Sequence, residues 1–176
     1  MDKIRNWQIA GGIFTVIAGT LVHFIYGWFG GTAAAFIGAV NESTWEHLKL
    51  LFWPFFVFGI LEYIAYGKNL KGFLPAKGLS VLIGMILIVV LFYTYSGILG
   101  KNFLAIDIAL FVIGTGAAYF FSYRHLYRLR SRYLSAASET GAILLLAALI
   151  VCFLLFTYHP PEIGLFLDPV SGHYGI

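Results

Sequence analysis

The chain has 176 residues, of which 60% are hydrophobic and only 11% charged, with a net charge of +3 at pH 7 and a mean hydropathy of +0.87. A soluble domain carries charge on about a quarter of its residues, so this composition excludes one and makes lipid the solvent for most of the chain. Its length accommodates one domain of several spans without a separate soluble module. The single Cys152 lies in an apolar run, which excludes an intrachain disulfide and cysteine-based metal or redox motifs and leaves the thiol as a small core hydrophobe.

A membrane-crossing helix needs about 20 apolar residues, and five stretches satisfy this: 7 to 29, 44 to 66, 77 to 99, 103 to 124 and 138 to 158. The predicted fold is therefore all-α, a five-helix transmembrane domain over 1–158 followed by a tail over 159–176. The first stretch follows Lys3 and Arg5 as a signal peptide would. Its apolar run to Trp28 is longer than an ordinary signal core, and Ala33-Ala34-Ala35 lies beyond it, so it is read as a retained span. Cytoplasmic loops are enriched in Lys and Arg. Lys3, Arg5, Lys68, Lys71, Lys77, Arg124, Arg128, Arg130 and Arg132 fall on one side, against Lys49 and Lys101 on the other. This predicts a cytoplasmic N-terminus and an external tail. The basic stretch from Arg124 to Arg132 suits anionic lipid headgroups rather than nucleic acid.

In the first helix, His23 sits about 7 Å below Trp28 at 1.5 Å per residue. It shares a face with Gly12, Val16, Gly19 and Gly27, small residues that allow close helix approach. An intramembrane histidine either hydrogen-bonds across a helix interface or serves a functional site.

The segment Asn41-Glu42-Ser43-Thr44-Trp45-Glu46-His47 places two carboxylates and an imidazole at the start of an apolar helix. Ser43-x-x-Glu46 fits a capping box, in which the serine oxygen accepts from the N3 amide and the glutamate reaches back to the N-cap amide. Acidic groups there complement the helix dipole, and Trp45 suits the interfacial aromatic belt. Capping does not account for His47 or Lys49, whose charges would oppose the dipole unless a carboxylate answers them. In the same helix Pro54 removes a hydrogen bond to Leu50, predicting a kink and a pocket beneath Glu46 and His47. Trp53, about 12 Å below Trp45, lines that pocket or packs between helices. Glu62 and Glu139, near the basic loops, read as salt-bridged or snorkelling groups.

Further along, Tyr93 and Tyr95 end the third helix as belt anchors. Asp107 caps the fourth helix, pairs with Lys101 or Lys49, or joins the polar cluster. In the tail, His159-Pro160-Pro161-Glu162 stops the last helix, Leu165-Phe166-Leu167 is an apolar anchor and Asp168 to Gly172 reads as a turn. A segment of this kind folds back over the outer face as an anchor, a plug, or a lid carrying Asp168 or His159.

Spacing limits the chemistry. Glu42 and Glu46 are four apart, as are Ser43 and His47, so each pair can share a helix face, whereas neighbouring Glu46 and His47 diverge by about 100°. No His-Glu-x-x-His zinc motif is present. A divalent-metal site, for zinc or a similar ion, therefore has to be assembled across helices, with His23, Glu42, Glu46 and His47 as its candidate ligands. The candidate catalytic set is His23, Glu46, His47 and Asp107, and Asn41, Trp45, Lys49, His159 and Asp168 are expected at its mouth or lid. Serine catalysis is disfavoured, because an N-cap serine is poorly available as a nucleophile.

Together, Leu21-Val22-His23-Phe24-Ile25-Tyr26, the run Val40 to Lys49, Tyr93-Thr94-Tyr95-Ser96-Gly97 followed by Asp107, and the tail from Pro160-Pro161 through Asp168-Pro169 to Tyr174-Gly175-Ile176 resemble a family of small bacterial membrane proteins known as domain of unknown function 6512. The resemblance spans almost the whole chain. It implies a bacterial origin and a multi-pass plasma-membrane location, and brings no activity with it.

Three functions fit the residues: an enzyme acting at the outer leaflet on a lipid or lipid-linked headgroup, an ion-coupled small transporter or channel using Glu62, His23 and Glu46, and a non-catalytic lipid-binding or assembly subunit. The absence of central charge from helices three and five, and of an inverted repeat, weighs against transport. Membrane lipid is the expected partner, and a homodimer is compatible with so small a bundle.

Overall fold

The structure is a computed structural model that describes residues 2–129 and 136–176. Its described residues are helical apart from short connections and the tail over 159–176: α1 (Asp2–Phe29), α2 (Gly31–Ile37), α3 (Thr44–Ala65), α4 (Phe73–Leu99), α5 (Leu104–Leu129) and α6 (Ala136–Tyr158). Five of these, all except α2, are long and apolar enough to cross a membrane, and the protein is a multi-pass membrane bundle. Arg130 and Arg132 of the predicted basic stretch lie outside the described residues.

Helix α3 is the centre of the bundle. Half of its apolar window is buried, against 17–28% in the other four spans, which turn most of their surface outward as lipid-facing helices do. Its Leu51, Phe52, Phe55 and Phe58 pack with Val81 and Met85 of α4, Ala118 and Tyr119 of α5 and Phe153 of α6. Small residues set the closest approaches. A Cβ built on Gly19 of α1 would lie 2.4 Å from the Leu50 carbonyl oxygen, and one on Gly84 of α4 would lie 2.8 Å from the Gly114 carbonyl oxygen of α5. Helices in lipid associate through such backbone proximity, because apolar side chains gain little by leaving one hydrocarbon phase for another.

Several boundaries differ from the sequence reading. Helix α4 begins at Phe73, four residues before the expected start, after Gly72 in the left-handed conformation (φ 79°). Lys77, expected at the very start of the helix beside the basic loop, is therefore a buried residue in its second turn. Helix α2 was not anticipated: Gly30 and Gly31 (φ 59° and 75°) break the chain after α1 and let a seven-residue helix turn back across the bundle end. Trp45, expected in the interfacial belt, is 9% exposed and packs against Phe153, Phe156 and Phe166. Pro54 lies inside α3, but the cavity beside it, about 360 Å³, extends from Phe52 and Phe55 past Gly59 to Tyr63, away from Glu46 and His47. The space expected beneath Glu46 holds the Lys49 ammonium and the Thr157 hydroxyl.

The close α4–α5 approach predicts that Gly84→Leu lowers stability by about 1–3 kcal/mol through overpacking. Gly116→Leu, whose Cβ would meet nothing within 4 Å, should leave the melting temperature in detergent essentially unchanged. Equal effects of the two substitutions would contradict this packing.

Candidate functional site

The loop from Gly38 to Ser43 and the first turn of α3 hold a polar segment at the end of the bundle where the tail also lies. Ser43 has extended backbone (φ −67°, ψ 151°), and its hydroxyl accepts the Glu46 N–H at 3.3 Å, an N-cap bond. The reciprocal half of the capping box is absent. The Ser43 N–H donates to Asn41 Oδ1 at 2.9 Å, which leaves the Glu46 carboxylate available for other partners.

Glu46 turns inward. Its Oε2 accepts from Lys49 Nζ at 2.6 Å and from the Val40 N–H at 3.0 Å, and its Oε1 accepts from the Thr157 hydroxyl of α6 at 3.0 Å. Lys49 is fully buried, and its ammonium also donates to Thr157 Oγ1 at 2.6 Å and to the carbonyls of Ala35 at 2.8 Å and Gly38 at 3.3 Å. An ion pair in so low a dielectric is tolerable only with its remaining donors and acceptors satisfied. Here the extra partners come from α2, the loop after it and α6, so the pair ties three segments to α3.

His47 turns the other way, toward α1. Its Nδ1 lies 2.9 Å from the Ser43 carbonyl oxygen and its Nε2 lies 3.4 Å from Glu42 Oε2. His23 comes from α1 with its ring centre 5.2 Å from that of His47, and its Nε2 is 3.7 Å from the other Glu42 oxygen. A ligand atom from each of His23, Glu42 and His47 can be chosen so that all lie within 4.8 Å of one another. The side chains are partly accessible, at 26%, 49% and 33% exposed respectively, so the cluster opens to the surface.

The geometry at His47 fixes its chemistry. A carbonyl oxygen only accepts, so Nδ1 must carry the proton, and in a neutral ring Nε2 is then a lone pair. That lone pair faces a carboxylate, which also only accepts. The contact needs either a proton on Nε2 or a cation between the two groups. A backbone carbonyl that accepts the proton of the far ring nitrogen commonly orients a metal-bound histidine.

The tail closes one side. Asn41 Nδ2 donates to the Gly175 carbonyl at 2.9 Å, Leu167 and Tyr174 form an antiparallel bridge, and Phe166 packs on Trp45. Asp168 caps its own turn by accepting the Val170 N–H at 2.9 Å and the Ser171 hydroxyl at 2.6 Å, and its carboxylate also faces the Glu42 backbone N–H. Burial raises the Asp168 pKa, but these hydrogen bonds outweigh it and hold the group below the usual carboxylate range. The hydrogen bond with His47 is the largest effect on Glu42 and, against burial, keeps its carboxyl below the ordinary value too.

The remaining candidates sit elsewhere. Asp107 is bonded to Tyr95 and, at 3.0 Å, to Asn102 at the α4–α5 turn. His159 is exposed, and its backbone N–H donates to the Leu155 carbonyl. Trp53 donates to the Phe36 carbonyl at 3.1 Å and packs against α2. Glu62, read from the sequence as a salt-bridged or snorkelling group, is salt-bridged in a second buried network toward the opposite end, whose partners the sequence reading did not identify. There Glu62 pairs with Lys77 and is bonded to Gln8 and Tyr66, with Lys77 also donating to Gln8 Oε1 at 3.2 Å. Glu62 and Lys77 are fifteen residues apart on different helices, and no spacing rule connects them. Lys49, three residues after Glu46, did carry a signal, since such pairs share a helix face.

These features define a helical membrane protein with a two-histidine, one-carboxylate cluster at one end of the bundle. Residues 1–176 match the family described as a family of unknown function, DUF6512, and the chain belongs to that family. No curated protein and no solved structure matches it.

The buried pair predicts that Lys49→Met destabilises the protein by about 3–5 kcal/mol, because it leaves Glu46 charged and unpaired in the interior. Adding Glu46→Gln should recover a substantial part of the loss in detergent unfolding assays. Additive losses would mean that the two groups are not coupled.

Proposed function

We propose that the protein is a membrane-embedded enzyme of a bacterial plasma membrane that holds a divalent ion, zinc or a similar metal, between His23, Glu42 and His47, and acts on the headgroup of a lipid or lipid-linked molecule. The observation that carries this reading is the His47 ring, tied by Nδ1 to the Ser43 carbonyl with Nε2 turned toward Glu42. Two imidazoles and a carboxylate with a position left open are a donor set found in catalytic zinc sites. Zinc ligands lie about 2.0–2.2 Å from the ion, so the 3.4 and 3.7 Å separations between nitrogen and oxygen suit a shared ion after small side-chain adjustments.

The distribution of Lys and Arg supports an external position for this end of the bundle. The partly exposed cluster would then lie at the headgroup level of the outer leaflet. An ion held there by His23, Glu42 and His47 would supply an activated water, a nucleophile near neutral pH suited to hydrolysis of a headgroup ester.

A metal-free reading draws on the same contact: a protonated His47 paired with Glu42, acting as an acid–base group. Elemental analysis of chelator-free, detergent-purified protein separates the two. The metal reading predicts near-stoichiometric divalent ion in the wild type, lost in His23→Ala and in His47→Ala while both remain folded. It also predicts release of the ion on acidification, because the imidazoles must be deprotonated to bind it. A folded wild type without metal, both as purified and after incubation with zinc, would overturn the metal reading.

A further inference from the structure

Away from the histidine cluster, the cavity of about 360 Å³ lies between α3, α4 and α6. Near the tail, α3 and α6 meet through Trp45 and Phe153, Phe52 and Phe153, and Lys49 and Thr157. Farther down, α6 leans on α4, where Leu145 and Ala142 approach Gly78. A cleft is left between α3 and α6, and its rim residues Ile60, Tyr63 and Ile143 are 46%, 43% and 53% exposed. Gly59 faces into open space, with nothing within 4 Å of a Cβ built on it.

We infer that this cleft is a binding site for one anionic phospholipid, with an acyl chain between α3 and α6 and the headgroup at the turn between α3 and α4. Three observations select that occupant. The lining from Phe52 to Tyr63 covers about 16 Å of helix, close to half of a hydrocarbon core about 30 Å thick, so the cleft matches the chain of one leaflet. Its lining is apolar except for Lys77, whose ammonium is matched by Glu62 and lies 4.8 Å from the centre of the Phe55 ring. The lining therefore offers a hydrocarbon chain packing surface and leaves water few partners. At the foot, beyond Tyr63 and Phe73, the turn carries exposed Lys68, and Glu139 of α6 accepts the Gly72 N–H there at 2.7 Å.

The binding is independent of the histidine cluster at the opposite end and is tested separately. Native mass spectrometry is run on protein delipidated in detergent and re-equilibrated with equal amounts of dioleoyl phosphatidylglycerol and dioleoyl phosphatidylcholine. The wild type should retain one phosphatidylglycerol in preference to phosphatidylcholine. Gly59→Phe and Ala147→Phe, which fill the cleft from opposite walls, should lose the bound lipid while eluting as folded protein. Lys68→Gln should keep the site but reduce the preference about fivefold, the effect of one lysine near an anionic headgroup. His47→Ala should leave the number of bound lipids and the preference for phosphatidylglycerol unchanged. Equal retention of the two lipids by the wild type, or undiminished binding by a folded filling variant, would overturn the inference. If neither filling variant folds, an unchanged preference in Lys68→Gln overturns it.

Discussion

The architecture of the tail-bearing end depends on one buried ion pair. Lys49 and Glu46 lie one helical turn apart on α3, and between them they take partners from Ala35 and Gly38, Val40, and Thr157. Desolvating both charges is costly, and the cost is offset only when every donor and acceptor is met. That requirement specifies where α2, the loop after it and α6 sit against α3. The position of Glu42, carried on the same loop, follows from it.

One turn of helix thus has two jobs on two faces. Glu46 and Lys49 face α6 and organise the interior, while His47 faces α1 and meets His23. The loop delivers Glu42 to the second face because Asn41 is anchored on both sides, to the Ser43 N–H and to Gly175 of the tail. Rigid supports of this kind are what a ligand set needs if its atoms are to converge without large rearrangement. At the other end of the bundle, the Glu62–Lys77 pair plays the corresponding structural part with Gln8 and Tyr66.

Much of the fold is legible in the sequence, because five long apolar runs in lipid can only be helices whose backbone groups are satisfied internally. Helix α2 and the early start of α4 escaped notice for a physical reason: both follow glycines with positive φ, and composition alone does not distinguish a glycine that breaks a helix from one that packs it. In the site, the histidines and Glu42 carried a signal through their types and their place at the helix start. The divergence of Glu46 from His47 was readable from helix geometry, but the partner of Glu46 was Lys49 rather than the cluster. The destination of Asp107, the burial of Trp45 and the Glu62–Lys77 network depend on which helices become neighbours, and pairwise spacing along one chain does not contain that.

The most direct test of a shared ion is zinc K-edge X-ray absorption on the purified protein loaded with one equivalent of zinc. The account predicts two imidazole nitrogens at about 2.0–2.1 Å and a carboxylate oxygen at about 2.0–2.2 Å, with no sulfur, and only the oxygen shell of unbound zinc in His47→Ala, which does not hold the ion. A fully oxygen-ligated shell in the wild type, or a shell identical in the wild type and His47→Ala, would contradict it.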